Sequence, residues 1–120
     1  MRIEFSVEVT PYPQPRPRVV NRHAYEPKRI TDYKNAIRTI AAIQMKGREP
    51  LTGLVRVEMT FRKNKRLGSR MYGDIDNLEK AVYDALTGIC YADDALVVRS
   101  AAEKIDTKDE GVDIVITDEL

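Results

Sequence analysis

Arg2 to Val9 alternates without a break: Ile3, Phe5, Val7 and Val9 fall on one side, and Arg2, Glu4, Ser6 and Glu8 on the other. That is the period of a strand with one buried face. The alternation then stops. PYPQPRPRVVNRHAYEPKR, residues 11–29, holds five prolines and many basic residues with neither a helical nor a strand period, which predicts an ordered but irregular loop. Beyond it Tyr33, Ile37, Ile40 and Ala41 recur near helical spacing, with Thr31 placed to cap the helix and Gly47 and Pro50 to stop it. Alternation returns from Leu54 to Phe61 through Val55, Val57 and Met59. RKNKRLGSR then makes a second basic loop. A second helix is predicted by the stripe Ile75, Leu78, Val82, Ala85 and Leu86, with Gly88 as its stop. Two more strands follow, Leu96 to Val98 continuing toward Ala102, and Val112 to Ile116, joined through TKDEG by a hairpin-like turn.

The predicted order is β-α-β-α-β-β, an α/β (α+β) single domain in which a mixed sheet is covered by two helices. A chain of 120 residues, 42% hydrophobic and 32% charged, fits one domain with a modest core. Its apolar runs fall far short of the roughly 20 residues a membrane span needs, and no signal-peptide pattern opens it, so a cytoplasmic protein is expected. Cys90 stands alone, which excludes an intrachain disulfide and a cysteine-rich zinc site and suits a small buried hydrophobe. The net charge of +1 conceals a segregation: residues 1–73 carry 16 Lys/Arg against 6 Asp/Glu, and residues 74–120 carry 4 against 13. The first part suits a polyanion. The second would repel one unless bound cations neutralise some of its carboxylates, or unless the two parts neutralise each other across the fold.

The carboxylates define the chemical question. Asp76-Asn77-Leu78-Glu79 reads as a D-x-x-E capping box at the start of the second helix. That explains Asp76 and leaves Asp74 unexplained. In an extended lead-in the two aspartates share a side and repel unless a cation sits between them, and oxygen-only ligands suit Mg²⁺ or Mn²⁺. Asp93-Asp94 forms a second acidic pair after the helix. It reads most simply as a polar turn, because a helix of about 11 residues spans roughly 16 Å and the chain must double back to bring the pairs together. His23 is the only histidine and lies among arginines, so a phosphodiester-cleaving enzyme of this sequence is no His-metal nuclease. Water would be the nucleophile, activated through a divalent ion held by carboxylates. Lys80, four residues after Asp76, is either an i,i+4 partner worth a few tenths of a kcal/mol or a cation beside the reacting phosphate. Asn77 can cap or ligate.

The run GDIDNLEKAVYDALTGICYADDALVVRSAAEK resembles the signature of the RusA-type Holliday junction resolvases, with a D-x-D-N-L-x-K-x-x-x-D-A-L core and then a D-D-x-x-V-V segment. The first strand, PQPRPR and HAYEPKRITDYKNAIR resemble that family's first half more loosely. The resemblance implies a metal-dependent, homodimeric endodeoxyribonuclease that resolves four-way DNA junctions by paired symmetric nicks in recombination and repair, leaving 5′-phosphate and 3′-hydroxyl ends. It implies Asp74, Asp76 and Asp94 as catalytic ligands of Mg²⁺ or Mn²⁺, Lys80 as the important helix lysine, and Asp93 and Asn77 in support. Some members carry an arginine run directly before D-x-D, whereas here Met71-Tyr72-Gly73 follows Arg70.

With that resemblance, Arg16, Arg18, Arg22, His23, Lys28 and Arg29 in the first basic segment, and Arg62, Lys63, Lys65, Arg66 and Arg70 in the second, become the expected DNA contacts, mostly to phosphates. Tyr12 and Tyr25 either stack on unpaired bases or plug the loop onto the domain. The expected partner is branched DNA and the expected setting the nucleoid, in a host or a resident prophage, with no membrane. The rival readings are a non-catalytic DNA-binding module whose aspartates are caps and turns, and a nucleotidyl or glycosyl transferase using D-x-D on a nucleotide diphosphate.

Overall fold

The computed structural model describes residues 1–15, 18–20, 23–64 and 73–118, with the backbone alone over 18–20 and 23–25. Along the chain come β1 (Arg2–Val7), a ribbon of β2 (Arg18–Val20) and β3 (His23–Tyr25), α1 (Lys28–Met45), β4 (Val55–Lys63), α2 (Ile75–Leu86), a 3-10 turn (Asp94–Leu96), β5 (Val97–Asp106) and β6 (Gly111–Asp118). The main sheet has the order β1-β6-β4-β5. β6 runs antiparallel to both β1 and β4, and β5 runs parallel to β4. The sheet is mixed and the predicted α+β order holds, with the small β2–β3 ribbon added inside the segment expected to be irregular.

Alternation in the sequence becomes one apolar sheet face. Ile3, Phe5 and Val7 lie opposite Ile116, Ile114 and Val112, which lie in turn opposite Val57, Met59 and Phe61. All nine are buried. α1 lays Ile30, Tyr33, Ile37, Ala41 and Met45 into the core, and α2 adds Leu78, Ala81, Val82, Ala85 and Leu86. The other sheet face carries polar residues such as Glu4, Arg56, Glu58 and Thr60, as expected where one face meets water.

Three local expectations are corrected. Residues 107–110 are not a hairpin, because β4 lies between β5 and β6. The segment crosses the end of β4, where the Thr107 N–H donates to the Lys63 carbonyl at 3.0 Å and the Glu110 carboxylate accepts from the Asn64 N–H at 3.1 Å. The strand with the stronger apolar face, β6, takes an interior place, and the mostly exposed β5 takes the edge. α1 begins at Lys28 rather than after Thr31: Pro27, with φ −60°, is the cap residue, and the helix thereby buries Ile30. Thr31 sits in its first turn, and its hydroxyl donates to Glu26 Oε2 at 3.2 Å. The third correction concerns the aspartates of α2 and is taken up with the site.

At its far end α1 stops through left-handed backbone at Lys46 and Gly47, and the Arg48 guanidinium donates to the carbonyls of Met45 and Gln44. Arg38 on α1 does the same for α2, donating to the carbonyls of Asp84 and Ala85 at 3.2 Å each. Cys90 is buried as expected, and burial pushes its thiol up to about 11. Among the described residues no helix is long and apolar enough to cross a membrane.

At Gly111, opposite Arg62, an added Cβ would collide with the Arg62 guanidinium and come within 2.9 Å of the Val7 carbonyl. Backbone cannot step aside as a side chain can. Gly111→Ala is therefore expected to cost about 1–3 kcal/mol, read as a lowered urea midpoint with an unchanged slope; a midpoint equal to wild type would contradict the packing.

Candidate active site

α2 starts at Ile75, with Asp74 as its cap residue in extended conformation (φ −76°, ψ 145°), and the Asp74 side chain makes no capping hydrogen bond. Asp76 therefore lies inside the first turn instead of before it. Among the described residues its Oδ1 accepts from the adjacent Asn77 N–H at 2.9 Å, so the capping box expected from D-x-x-E does not form. The reason is one of register: helical bonds from the N–H groups of Asn77 and Leu78 already end on the Asp74 carbonyl, which fixes the start two residues earlier. Both aspartates are exposed. They stand at the positive end of the helix dipole, which favours negative charge.

Glu79, the supposed partner in that box, turns elsewhere. Its carboxyl is raised above its ordinary value, first by burial and then by the charge of Asp76. The next turn carries Tyr83, whose hydroxyl is raised by burial, opposed by a hydrogen bond with Ser100 of β5, and raised again by Glu79. One flank of α2 thus runs Asp76, Glu79, Tyr83 toward the edge strand. Lys104 of β5 donates to the Gly73 carbonyl at 2.8 Å and fixes the residue just before Asp74. Glu79 was expected from the sequence only as a capping partner, and Lys104 was not singled out; the signal for Lys104 was its place at the end of the motif-bearing run.

The chain does double back after α2. Gly88, with φ 84°, turns it, the Gly88 N–H donates to the Tyr91 carbonyl at 2.8 Å, and the buried Tyr91 hydroxyl donates to the Tyr83 carbonyl at 3.2 Å. Asp93 then caps the 3-10 turn by accepting from the Ala95 N–H at 3.1 Å. Asp94 is left free of such a duty. Its carboxyl is raised, first by burial and then by Asp93 and Asp84, while Lys80 pulls it down. It borders a cleft of about 230 Å³ lined also by Tyr83, Val97, Val98, Arg99 and Ser100. The structure brings Asp94 to the flank of α2 near Lys80 and Asp84, and brings Asp74 and Asp76 together at the helix start. Among the described residues, no three His, Cys, Asp or Glu side chains converge on one point that could hold a metal.

The basic segment is moored on the same helix. The Gln14 N–H donates to the Asn77 carbonyl at 3.0 Å, and Gly73, with φ 56°, lies so near Pro13 that a Cβ there would sit 3.0 Å from the proline ring. Arg29 lies over the Tyr12 ring at 5.4 Å, the plugging alternative for that tyrosine. Lys28 is exposed and pairs with Asp32 at 2.9 Å. Arg62 is turned into the domain's own ion pairing, 3.0 Å from Asp113, and donates to the Asp109 carbonyl. Lys63 ends β4. Arg16, Arg22, Lys65, Arg66 and Arg70, and the side chains of Arg18, His23 and Tyr25, lie outside the described residues.

A two-layer α+β domain that leaves a pair of carboxylates uncapped on a helix, with a lysine one turn on and a basic arm rooted beside them, has the parts for work on a phosphodiester backbone. A family model described as Endodeoxyribonuclease RusA matches residues 8–117, and the chain belongs to that family. The match takes in the arm, both acidic pairs and the strands after β1 as far as Thr117. A search of curated proteins finds no match.

Glu79 gives a pH-dependent consequence. Its folded-state pKa is raised above the unfolded value, so protonation favours the fold, and stability from this group is lost as pH rises through the range above 4.5. Glu79→Gln should therefore raise the melting temperature at neutral pH and lose that advantage near pH 4; an equal effect at both pH values would contradict a raised Glu79 carboxyl.

Proposed function

We propose that this member of the family is a divalent-metal-dependent endonuclease that resolves four-way DNA junctions by paired symmetric nicks, acting as a homodimer on branched DNA in recombination and repair. The observation that carries the chemistry is that Asp74 and Asp76 stand exposed at the start of α2 and neither caps the helix. Two exposed carboxylates two residues apart, neither holding a cap, are available to a bound cation. The binding-only rival needs those aspartates as caps.

The donor set fits Mg²⁺ or Mn²⁺. All its atoms are carboxylate oxygens, and Mg²⁺ is commonly held by one or two carboxylates together with substrate phosphate oxygens and water, so a three-carboxylate cage is not needed. A divalent ion there supplies a lowered pKa for the attacking water and neutralises charge developing on the phosphoryl oxygens. Asp74 and Asp76 would hold it. Asp94 would approach the same phosphodiester from the β5 side of α2 and complete the ligand set. Lys80, exposed one turn beyond Asp76, would hold a nonbridging oxygen as negative charge grows. Asp93 keeps the Asp94 turn closed through the Ala95 N–H, and Asn77 links the helix start to the arm through its carbonyl. The arm residues would grip backbone phosphates, the source of affinity that carries no sequence preference.

Cleavage of a four-way junction should need Mg²⁺ or Mn²⁺, give two symmetry-related nicks, and fall roughly 100-fold or more in Asp74→Asn and in Asp76→Asn, the scale of losing one charge-stabilising group. Nicking that persists in chelator or in Asp74→Asn would end the metal reading. Junction binding by Arg29→Ala should show a salt dependence shallower by about one unit of log–log slope if Arg29 holds a phosphate; an unchanged slope would assign Arg29 to its stack on Tyr12 alone.

A further inference from the structure

Lys34 is the buried charged side chain of the described core, with 6% of its surface exposed. It was not singled out from the sequence; with α1 starting at Lys28, Lys34 shares a buried helical face with Ile30, Ile37 and Ala41. A methionine or leucine there would simply join the core. Instead Lys34 Nζ lies 2.7 Å from Glu26 Oε1 and 3.4 Å from Asp84 Oδ2. A buried ion pair is a poor device for stability, because desolvating the charges cancels most of their attraction and an apolar residue would do as well or better. What it does supply is direction, since both carboxylates must stay where the ammonium is.

Those carboxylates belong to the two elements whose relation matters for cutting DNA. Glu26 is the residue after β3, where the basic ribbon returns to the domain. Its carboxyl is held below its usual value, first by the hydrogen bond from Lys34, with further bonds from Thr31 and Gln14. Gln14 lies where the chain leaves for the ribbon, and its N–H is bonded to the Asn77 carbonyl in the first turn of α2. Asp84 lies on α2 itself, one turn beyond Lys80, and is among the charges that act on Asp94. The two roots of the ribbon therefore meet at Glu26 and Gln14, and both are tied to α2, one through Lys34 and one directly.

We infer that Lys34 is a positioning residue for DNA cleavage: through Glu26 and Asp84 it sets the basic ribbon at a fixed place relative to the carboxylates of α2 and the 3-10 turn, and so selects which phosphodiester is cut. This rests on the endonuclease reading above. Lys34 itself touches no DNA in this role, and its loss changes where and how fast the strand is cut more than how tightly it is held.

The test is single-turnover cleavage of an immobile four-way junction at saturating protein, with nick positions mapped to the nucleotide, for wild type, Glu26→Gln, Lys34→Met and Lys34→Arg. The expected result is a rate lower by about tenfold to 100-fold in Glu26→Gln and Lys34→Met, the scale of a small misplacement of reacting groups. Their nicks should spread to neighbouring phosphodiesters while junction affinity stays within about threefold of wild type, as fits an interaction with no phosphate contact. Lys34→Arg, which keeps the charge, should cut nearer the wild-type position than Lys34→Met. Should Lys34→Met fail to fold, Glu26→Gln carries the test alone, because its side chain is 43% exposed and it leaves the Lys34–Asp84 pair in place. A sharp wild-type nick made at wild-type rate by Glu26→Gln would overturn the inference and leave the endonuclease reading standing. A wild type that binds junctions and never nicks them would overturn both.

Discussion

Like charge gathered along one side of α2 is the condition around which this molecule is arranged. Burial and then the charge of Asp76 raise Glu79, burial and then Asp93 and Asp84 raise Asp94, and neither Asp74 nor Asp76 offsets this by capping the helix. A free helix of this sequence would gain little from holding such groups together. The opposite face supplies the reason it does: Leu78, Ala81, Val82, Ala85 and Leu86 are wholly buried against the sheet, and burying a leucine or valine side chain is worth about 1.5–3 kcal/mol. Arg38 closes the far end of the helix and Lys104 fixes the residues before its start. The fold holds the helix and its carboxylates in place, and on the proposed reading a bound cation would relieve their repulsion.

The same helix is where the basic arm comes home. Pro13 against Gly73, Gln14 on the Asn77 carbonyl, and Glu26 through Lys34 to Asp84 are three separate moorings on one element or its lead-in. On the proposed reading, an arm that holds phosphates and carboxylates that act on them gain from sharing one rigid support, since misplacement of reacting groups by about 1 Å can cost 100-fold in rate. β5 stands at the edge of the sheet. It leaves the cleft beside Asp94 open, with Val98 half exposed where the register with β4 shifts, and irregularities of this kind commonly re-aim side chains beside active sites.

Much of this was legible from residues alone. Strict alternation at Ile3, Phe5 and Val7 and again at Val55, Val57 and Met59 has only one reading, and the α2 stripe differs from the observed one only in Ala81 replacing Ile75 among the buried positions. What failed was whatever depends on distant partners. A turn such as TKDEG has the same composition whether its strands pair with each other or flank a third, and only the competition for the interior of the sheet decides that β4 stands between them. The D-x-x-E pattern allows a helix to start at Asp74 or at Asp76, and the register is set by backbone bonds to the Asp74 carbonyl that no side-chain pattern shows. The acidic pairs were recognisable as pairs; their placement along α2 depended on Gly88 and Tyr91 folding the chain back on the helix.

The claim that Asp74 and Asp76 are kept for a cation is tested most directly by following free Mn²⁺ with electron paramagnetic resonance as protein is added to a four-way junction. Wild type should remove Mn²⁺ from solution beyond the amount taken up by the DNA alone, and Asp74→Asn and Asp76→Asn, folded and junction-binding, should not. Uptake by Asp74→Asn equal to that of wild type would contradict the account and leave the pair at the start of α2 without a role in metal binding.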